Sequence, residues 1–188
     1  MGKLVAITGV PGVGKSTVVR FALEGIKEKY EIINFGDYMF DAAKEAGLVE
    51  HRDAMRTQMP LESYKVIQEL AAEKISSKSK EMNLILDTHC SVLKPQGYYP
   101  GLPHHVLKKL PLDLLVVVES SEEGITTRRI KDESIRKREE PITEQQRLNR
   151  MYAVACSVLT GVPLFIFQNE QGKAKEAGDQ LRMVLEGI

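Results

Sequence analysis

The stretch Gly9-Val10-Pro11-Gly12-Val13-Gly14-Lys15-Ser16-Thr17 decides the reading of this chain. Its spacing is G-x-x-x-x-G-K-[ST], and its flanks supply the structural setting that such spacing needs. Ahead of it, Leu4-Val5-Ala6-Ile7 is an apolar run of the kind that forms a strand buried on both faces. Behind it, Val18-Val19-Arg20-Phe21-Ala22-Leu23 carries apolar residues at helical spacing. Strand, glycine loop and helix in that order make a cradle for phosphate. The glycines let backbone N–H groups turn inward, and the helix N-terminus adds roughly half a positive charge. Within the cradle Lys15 reaches the β- and γ-phosphates of a nucleoside triphosphate, and the Ser16 hydroxyl meets Mg²⁺.

The rest of the chain alternates strand-like and helical patterns. Further strands are expected at Glu31–Phe35, Leu84–Asp87, Leu112–Glu119 and Leu164–Phe167. Helices are expected over 38–46, 50–58, a long stretch through Tyr64 and Ile75, 104–110 and 173–186. Ser120 with Glu123 predicts a capping box for one more helix, and Thr143 with Gln146 caps another that stops near Gly161. Residues 88–103, rich in Pro, Gly and Tyr, read as a long ordered loop. The alternation predicts an α/β phosphate-loop NTPase fold: one domain, 1–188, with a five-stranded parallel sheet, helices on both faces and a short flap at about 130–142. Ligands in such sheets bind beyond the C-terminal ends of the strands.

Composition narrows the classes. The 188 residues are 43% hydrophobic and 28% charged, with a formal net charge of zero. No global field draws nucleic acid or an acidic membrane, which argues against a nucleic-acid-linked ATPase. No apolar run approaches the roughly 20 residues that span a bilayer. The first strand starts close to Met1, so no signal peptide is expected. Cys90 and Cys156 are far apart in sequence and read as free thiols of a cytoplasmic protein. His51, His89, His104 and His105 lack zinc-site spacing. The Asn-Lys-x-Asp element of a guanine-nucleotide switch is absent.

Each expected strand end offers a candidate. Asp87 closes an apolar run, the pattern that sets a carboxylate beside the Mg²⁺ held by Ser16. Gly36-Asp37 permits close approach of a ligand, or Asp37 caps the following helix. Arg128, Arg129, Lys131, Arg136, Lys137, Arg138, Arg147 and Arg150 crowd one region. They are either a solvated surface interleaved with acids, or a flap of cations closing over a migrating phosphoryl group. Asn169-Glu170-Gln171-Gly172-Lys173 is either the edge where a nucleobase lies or an ordinary turn.

These residues together resemble a nucleoside monophosphate kinase, and more narrowly the archaeal type of adenylate kinase, from Lys3 to the last helix. Its more specific marks are the phosphate loop, His51-Arg52-Asp53-Ala54-Met55-Arg56, Tyr98-Tyr99-Pro100-Gly101-Leu102-Pro103 and Asn149-Arg150. The resemblance implies ATP + AMP ⇌ 2 ADP with Mg²⁺ at Ser16 and Asp87, ATP along Gly9 to Thr17 and Gln171-Gly172, and Lys15 as a catalytic cation. It implies AMP near Gly36, Asp37 and Arg56, in a segment of about 36–75, with Thr88 and His89 between the two nucleotides. Arg129, Arg136, Arg138 and Arg150 match phosphate-clamping arginines, and a homotrimer is implied, though no subunit surface is legible. Asp87-Thr88-His89 stands where Asp-Gly-Phe-Pro-Arg is usual, so the acceptor-side arginine of that motif is missing and Arg56 becomes its replacement. The flap is short and has no cysteine quartet for zinc. A kinase for CMP, UMP or shikimate is the same-class alternative, and a regulatory NTPase or assembly factor is the alternative of another class.

Overall fold

β1 (Leu4–Thr8) is buried along its whole length, as a strand must be at the centre of a sheet covered on both faces. The computed structural model describes residues 2–57, 59–94, 97–131 and 141–188, with the backbone alone for Asp53, Arg56 and Thr57. In it β1 lies between β3 (Asn83–Thr88) and β6 (Leu114–Glu119), and all pairings in this sheet are parallel. β2 (Tyr30–Asn34) and β7 (Leu164–Gln168) close the five-stranded order β2-β3-β1-β6-β7. These outer strands are partly exposed, as edges are.

Alternate side chains divide the interior in two. Leu4, Ala6, Leu84, Leu86, Leu115 and Val117 pack under α2 (Phe35–Glu45), α4 (Leu61–Ser79), α5 (His104–Leu107) and α7 (Ile142–Thr160). Val5, Ile7, Ile85, Val116 and Val118 pack against α1 (Lys15–Leu23), α6 (Glu122–Lys131) and α8 (Ala174–Glu186). Truncating one such leucine to alanine costs roughly 2–5 kcal/mol, so the two layers fix the sheet firmly. Every C-terminal strand end then points to one rim.

The stretch expected to be a loop contains a hairpin. β4 (Ser91–Lys94) and β5 (Gly97–Pro100) pair antiparallel, with Val92 opposite Tyr99 and Leu93 opposite Tyr98. Four-residue strands give too little alternation to stand out among Pro and Gly. The hairpin is moored to the helices around it. Tyr152 Oη donates to the Tyr98 carbonyl (3.1 Å), Gln68 Nε2 to that of Gly101 (3.3 Å), and the Lys94 ammonium sits 3.3 Å over the Tyr64 ring. Burial pushes the Lys94 pKa down.

The helix caps also differ from expectation, each by a short slide along the chain. α2 starts at Phe35, and its cap is Asn34, whose side chain accepts from Asp37 N; Asp37 therefore lies in the first turn and is not the cap. Ser121 rather than Ser120 caps α6, accepting from Gly124 N (3.1 Å), because Ser120 Oγ is turned to the Asn169 carbonyl. No side chain caps α7: Thr143 donates to Glu122, and Gln146 bonds the Ser120 backbone. Gly161, at φ 72, ends α7 in the left-handed conformation where glycine is favoured.

Candidate active site

β1 and β3 run in register, so Ile7 lies beside Asp87 and Thr8 beside Thr88. The chain leaves β1 through the glycine loop, with Gly12 at φ 86 and Gly14 at φ 91, the latter opening α1. Lys15 is only 9% exposed. Its Nζ donates to the Gly9 carbonyl at 2.9 Å and stands 3.5 Å from Asp87 Oδ1. The ring Nδ1–H of His89 donates to the same carbonyl, at 3.1 Å. Asp87 Oδ2 accepts from Asn34 Nδ2 (3.4 Å), whereas its buried Oδ1 accepts no hydrogen bond among the described residues. Ser16 and Thr17 are exposed in the first turn of α1.

The ends of β6 and β7 carry a second polar group. Glu119 is gripped by Arg150 of α7 through both oxygens, with Nε to Oε1 at 2.7 Å, and Gln168 Nε2 adds a third bond. This pairing raises the pKa of Arg150 still further. Arg128 donates to Ser120 Oγ (3.0 Å) and the Asn169 carbonyl (2.9 Å); burial lowers its pKa and the charge of Glu170 partly restores it. Arg129 Nε donates to the Pro11 carbonyl (2.9 Å) and its Nη2 to Gln145 (3.1 Å). Gln171 and Gly172 form the turn after β7, with Gly172 at φ 80.

On the far side, Gly36 and Asp37 open α2, and Asp37 pairs with Arg52 of α3 (Arg52–Thr57). Arg52 also donates to Asn34 Oδ1 (3.0 Å), so Asn34 connects this side to Asp87. Thr88 is buried in β3. Asn149 Oδ1 accepts from Thr8 Oγ1 (2.9 Å) and from Cys90 N (3.1 Å), which ties α7 to the ends of β1 and β3. A small cleft of about 70 Å³ opens here, lined by Pro11, His89, Ser91, Tyr98, Gln145 and Asn149 among others.

The structure thus gathers the phosphate loop, Asp87, His89, Arg129 and Arg150 on one rim. The Arg56 side chain and the whole of Arg136 and Arg138 lie outside the described residues. Asn34, Glu119 and Gln145 are site residues that sequence patterns did not single out; Arg52 and Asn169 stood only within longer motifs, without a role of their own, and Arg128 was only one of a cluster. Among the described residues, no group of three or more His, Cys, Asp or Glu side chains forms a metal cage, and no helix is long and apolar enough to cross a membrane.

Comparison with known proteins agrees with this geometry. The family described as AAA domain matches residues 8–147. The chain is 45% identical to an adenylate kinase of Methanocaldococcus jannaschii, over 97% of this chain and 98% of that protein. It is 43% identical to an adenylate kinase of Methanopyrus kandleri, over 94% of each. Among solved structures, a shikimate kinase from Acinetobacter baumannii in complex with shikimate superposes with a TM-score of 0.56 at 14% identity, covering 100% of this chain and 95% of that one. That last likeness is one of fold.

Proposed function

The chain belongs to the archaeal type of the adenylate kinase family, and from that premise we propose how its two nucleotides are held. It is an ATP:AMP phosphotransferase, catalysing ATP + AMP ⇌ 2 ADP. The donor ATP lies along Gly9 to Thr17 with its base toward Gln171 and Gly172. The acceptor AMP lies on the α2–α3 side, near Gly36, Asp37, Arg56, Thr88 and His89. The observation that carries this reading is the meeting of Lys15 with Asp87 across adjacent strand ends, 3.5 Å apart. It puts a cation and a metal-seeking carboxylate where the loop glycines converge.

A magnesium ion suits the donor set. Ser16 and Asp87 offer hard oxygens, and the buried Asp87 Oδ1 accepts no hydrogen bond among the described residues. Such an ion would neutralise charge on the phosphates of ATP. The protein's own residues supply the rest by positioning and charge, because an AMP phosphate oxygen is already anionic and needs no general base. Lys15 stabilises the transferred group. Arg129 steadies the loop through Pro11, and Arg150, half exposed, exchanges Glu119 for phosphate oxygens. Arg136 and Arg138 are assigned to the same clamp from their sequence positions alone. The free thiols Cys90 and Cys156 suit a reducing cytoplasm.

The decisive assay measures ADP formation from ATP with AMP, CMP, UMP, GMP and shikimate in turn. AMP is expected to be the strongly preferred acceptor. Faster turnover of shikimate or a pyrimidine nucleotide would overturn the assignment of the acceptor side.

A homotrimer is supported by an apolar stripe on α7. Met151, Val154 and Val158 recur at helical spacing and are exposed, Val158 by 78%, with Leu159 beside them. Exposed apolar side chains grouped on one helix face are a common feature of subunit interfaces. Light scattering should report three chains per particle, and Val158→Glu should reduce that number. A monomeric parent protein would refute the trimer.

A further inference from the structure

The carbonyls of the phosphate loop are held by four side chains, three of them from outside the loop. The Gly9 oxygen accepts from Lys15 and His89, the Pro11 oxygen from Arg129, and the Val13 oxygen from Asn169 Nδ2 at 2.8 Å. In a trans peptide the N–H points opposite to the C=O, so tying one commits the other. For Val13 the committed N–H belongs to Gly14, the residue that opens α1. A Cβ on Gly14 would collide with Asn169 Nδ2, so the glycine and the carboxamide are fitted to each other.

We infer that Asn169 is a positioning residue for triphosphate binding: its carboxamide turns the Val13 carbonyl away from the phosphates and aims the Gly14 N–H at them. This rests on the assignment of the loop to ATP. Asn169 is 1% exposed, and its backbone is pinned on both sides. Its N–H donates to the Glu119 carbonyl (2.7 Å), and its own carbonyl accepts from Ser120 Oγ (2.7 Å) and Arg128 (2.9 Å). Arg128 Nη1 also reaches the Val13 oxygen, but at 3.4 Å, with its guanidinium committed elsewhere. The carboxamide therefore supplies the short bond. Its Oδ1 is buried without a hydrogen-bond partner among the described residues, a cost that a smaller side chain would avoid. Packing alone does not explain keeping an asparagine there; the Nδ2 donor does. Because Gln171 and Gly172 follow in the same turn, one side chain links the base end of the donor site to its phosphate end.

The test uses inorganic triphosphate, which has phosphates but no base, as the calorimetric probe of the full-length protein. Asn169→Ala leaves the Val13 carbonyl without its short bond, and affinity for the probe should fall roughly tenfold. Asn169→Asp keeps the shape but sets an acceptor against that carbonyl, so its loss should be larger. The ratio of ATP to GTP as donor and the KM for AMP should stay as in the unmodified protein, and thermal unfolding reports on folding independently. If the alanine variant fails to fold, the near-isosteric aspartate variant carries the test. Unchanged probe affinity in the folded variant overturns the inference, and a collapsed ATP-to-GTP ratio alongside it would make Asn169 a reader of the base. Failure of the unmodified protein to bind the probe would instead overturn the loop assignment itself.

Discussion

A Lys15→Met variant is expected to turn over ATP and AMP roughly a hundred- to a thousandfold more slowly than the unmodified protein, the usual cost of removing one preorganised charge from a phosphoryl-transfer site. Methionine preserves the stem, which packs in a position only 9% exposed, and deletes the ammonium alone. The loop should keep its shape, because His89 still holds the Gly9 carbonyl. Asp87 loses the cation that faces its buried Oδ1, so the folded state should lose some stability as well, which the unfolding temperature reads separately from turnover. Steady-state kinetics with thermal unfolding as the control checks this. A folded variant retaining more than about half of normal turnover would show that the loop lysine does not act on the transferred phosphate.

How much of this was legible without coordinates follows from the range of each interaction. Strand β1, the glycine loop and α1 are contiguous, and their signals are local, so spacing sufficed. The parallel sheet followed because strands buried on both faces read as unbroken apolar runs, and β1 and β6 are such runs. The hairpin β4–β5 escaped because its strands are short and its turn residues dominate the composition. Caps slid by a residue or a few because neighbouring polar residues compete: Ser120 is drawn to Asn169, which leaves Ser121 to cap. The partners of the arginines were invisible for another reason. Arg129 meets Pro11 across 118 positions, and Asn169 meets Val13 across 156. No local pattern records such pairings. Gln145 looks like the solvent face of an ordinary helix, and Asn149 and Arg150 stood out only through the family resemblance, yet the fold sets all three on strand ends and on the loop brace.

Asp87→Asn is expected to reduce turnover about a hundredfold at low Mg²⁺ and to recover part of it as Mg²⁺ is raised, with the KM for AMP little changed. The substitution alters two things, and the structure allows them to be separated. Asp87 presents two acceptors: Oδ2 takes the Asn34 Nδ2 hydrogen bond, and Oδ1 faces the Lys15 ammonium. An asparagine has one acceptor, so its NH₂ must confront either the Asn34 amide or the lysine. The loss could therefore come from missing charge or from a mismatched hydrogen bond. Adding Asn34→Asp resolves the ambiguity. The new carboxylate accepts on one oxygen from the amide introduced on β3, and on the other it keeps the bonds from Asp37 N and Arg52. Hydrogen bonding is thereby restored, while the negative charge moves to the neighbouring strand. If charge beside the metal is what matters, the double variant should remain slow at low Mg²⁺ and still respond to added Mg²⁺. Full recovery of turnover at low Mg²⁺ would assign the role of Asp87 to its bond with Asn34, and the metal would need another carboxylate.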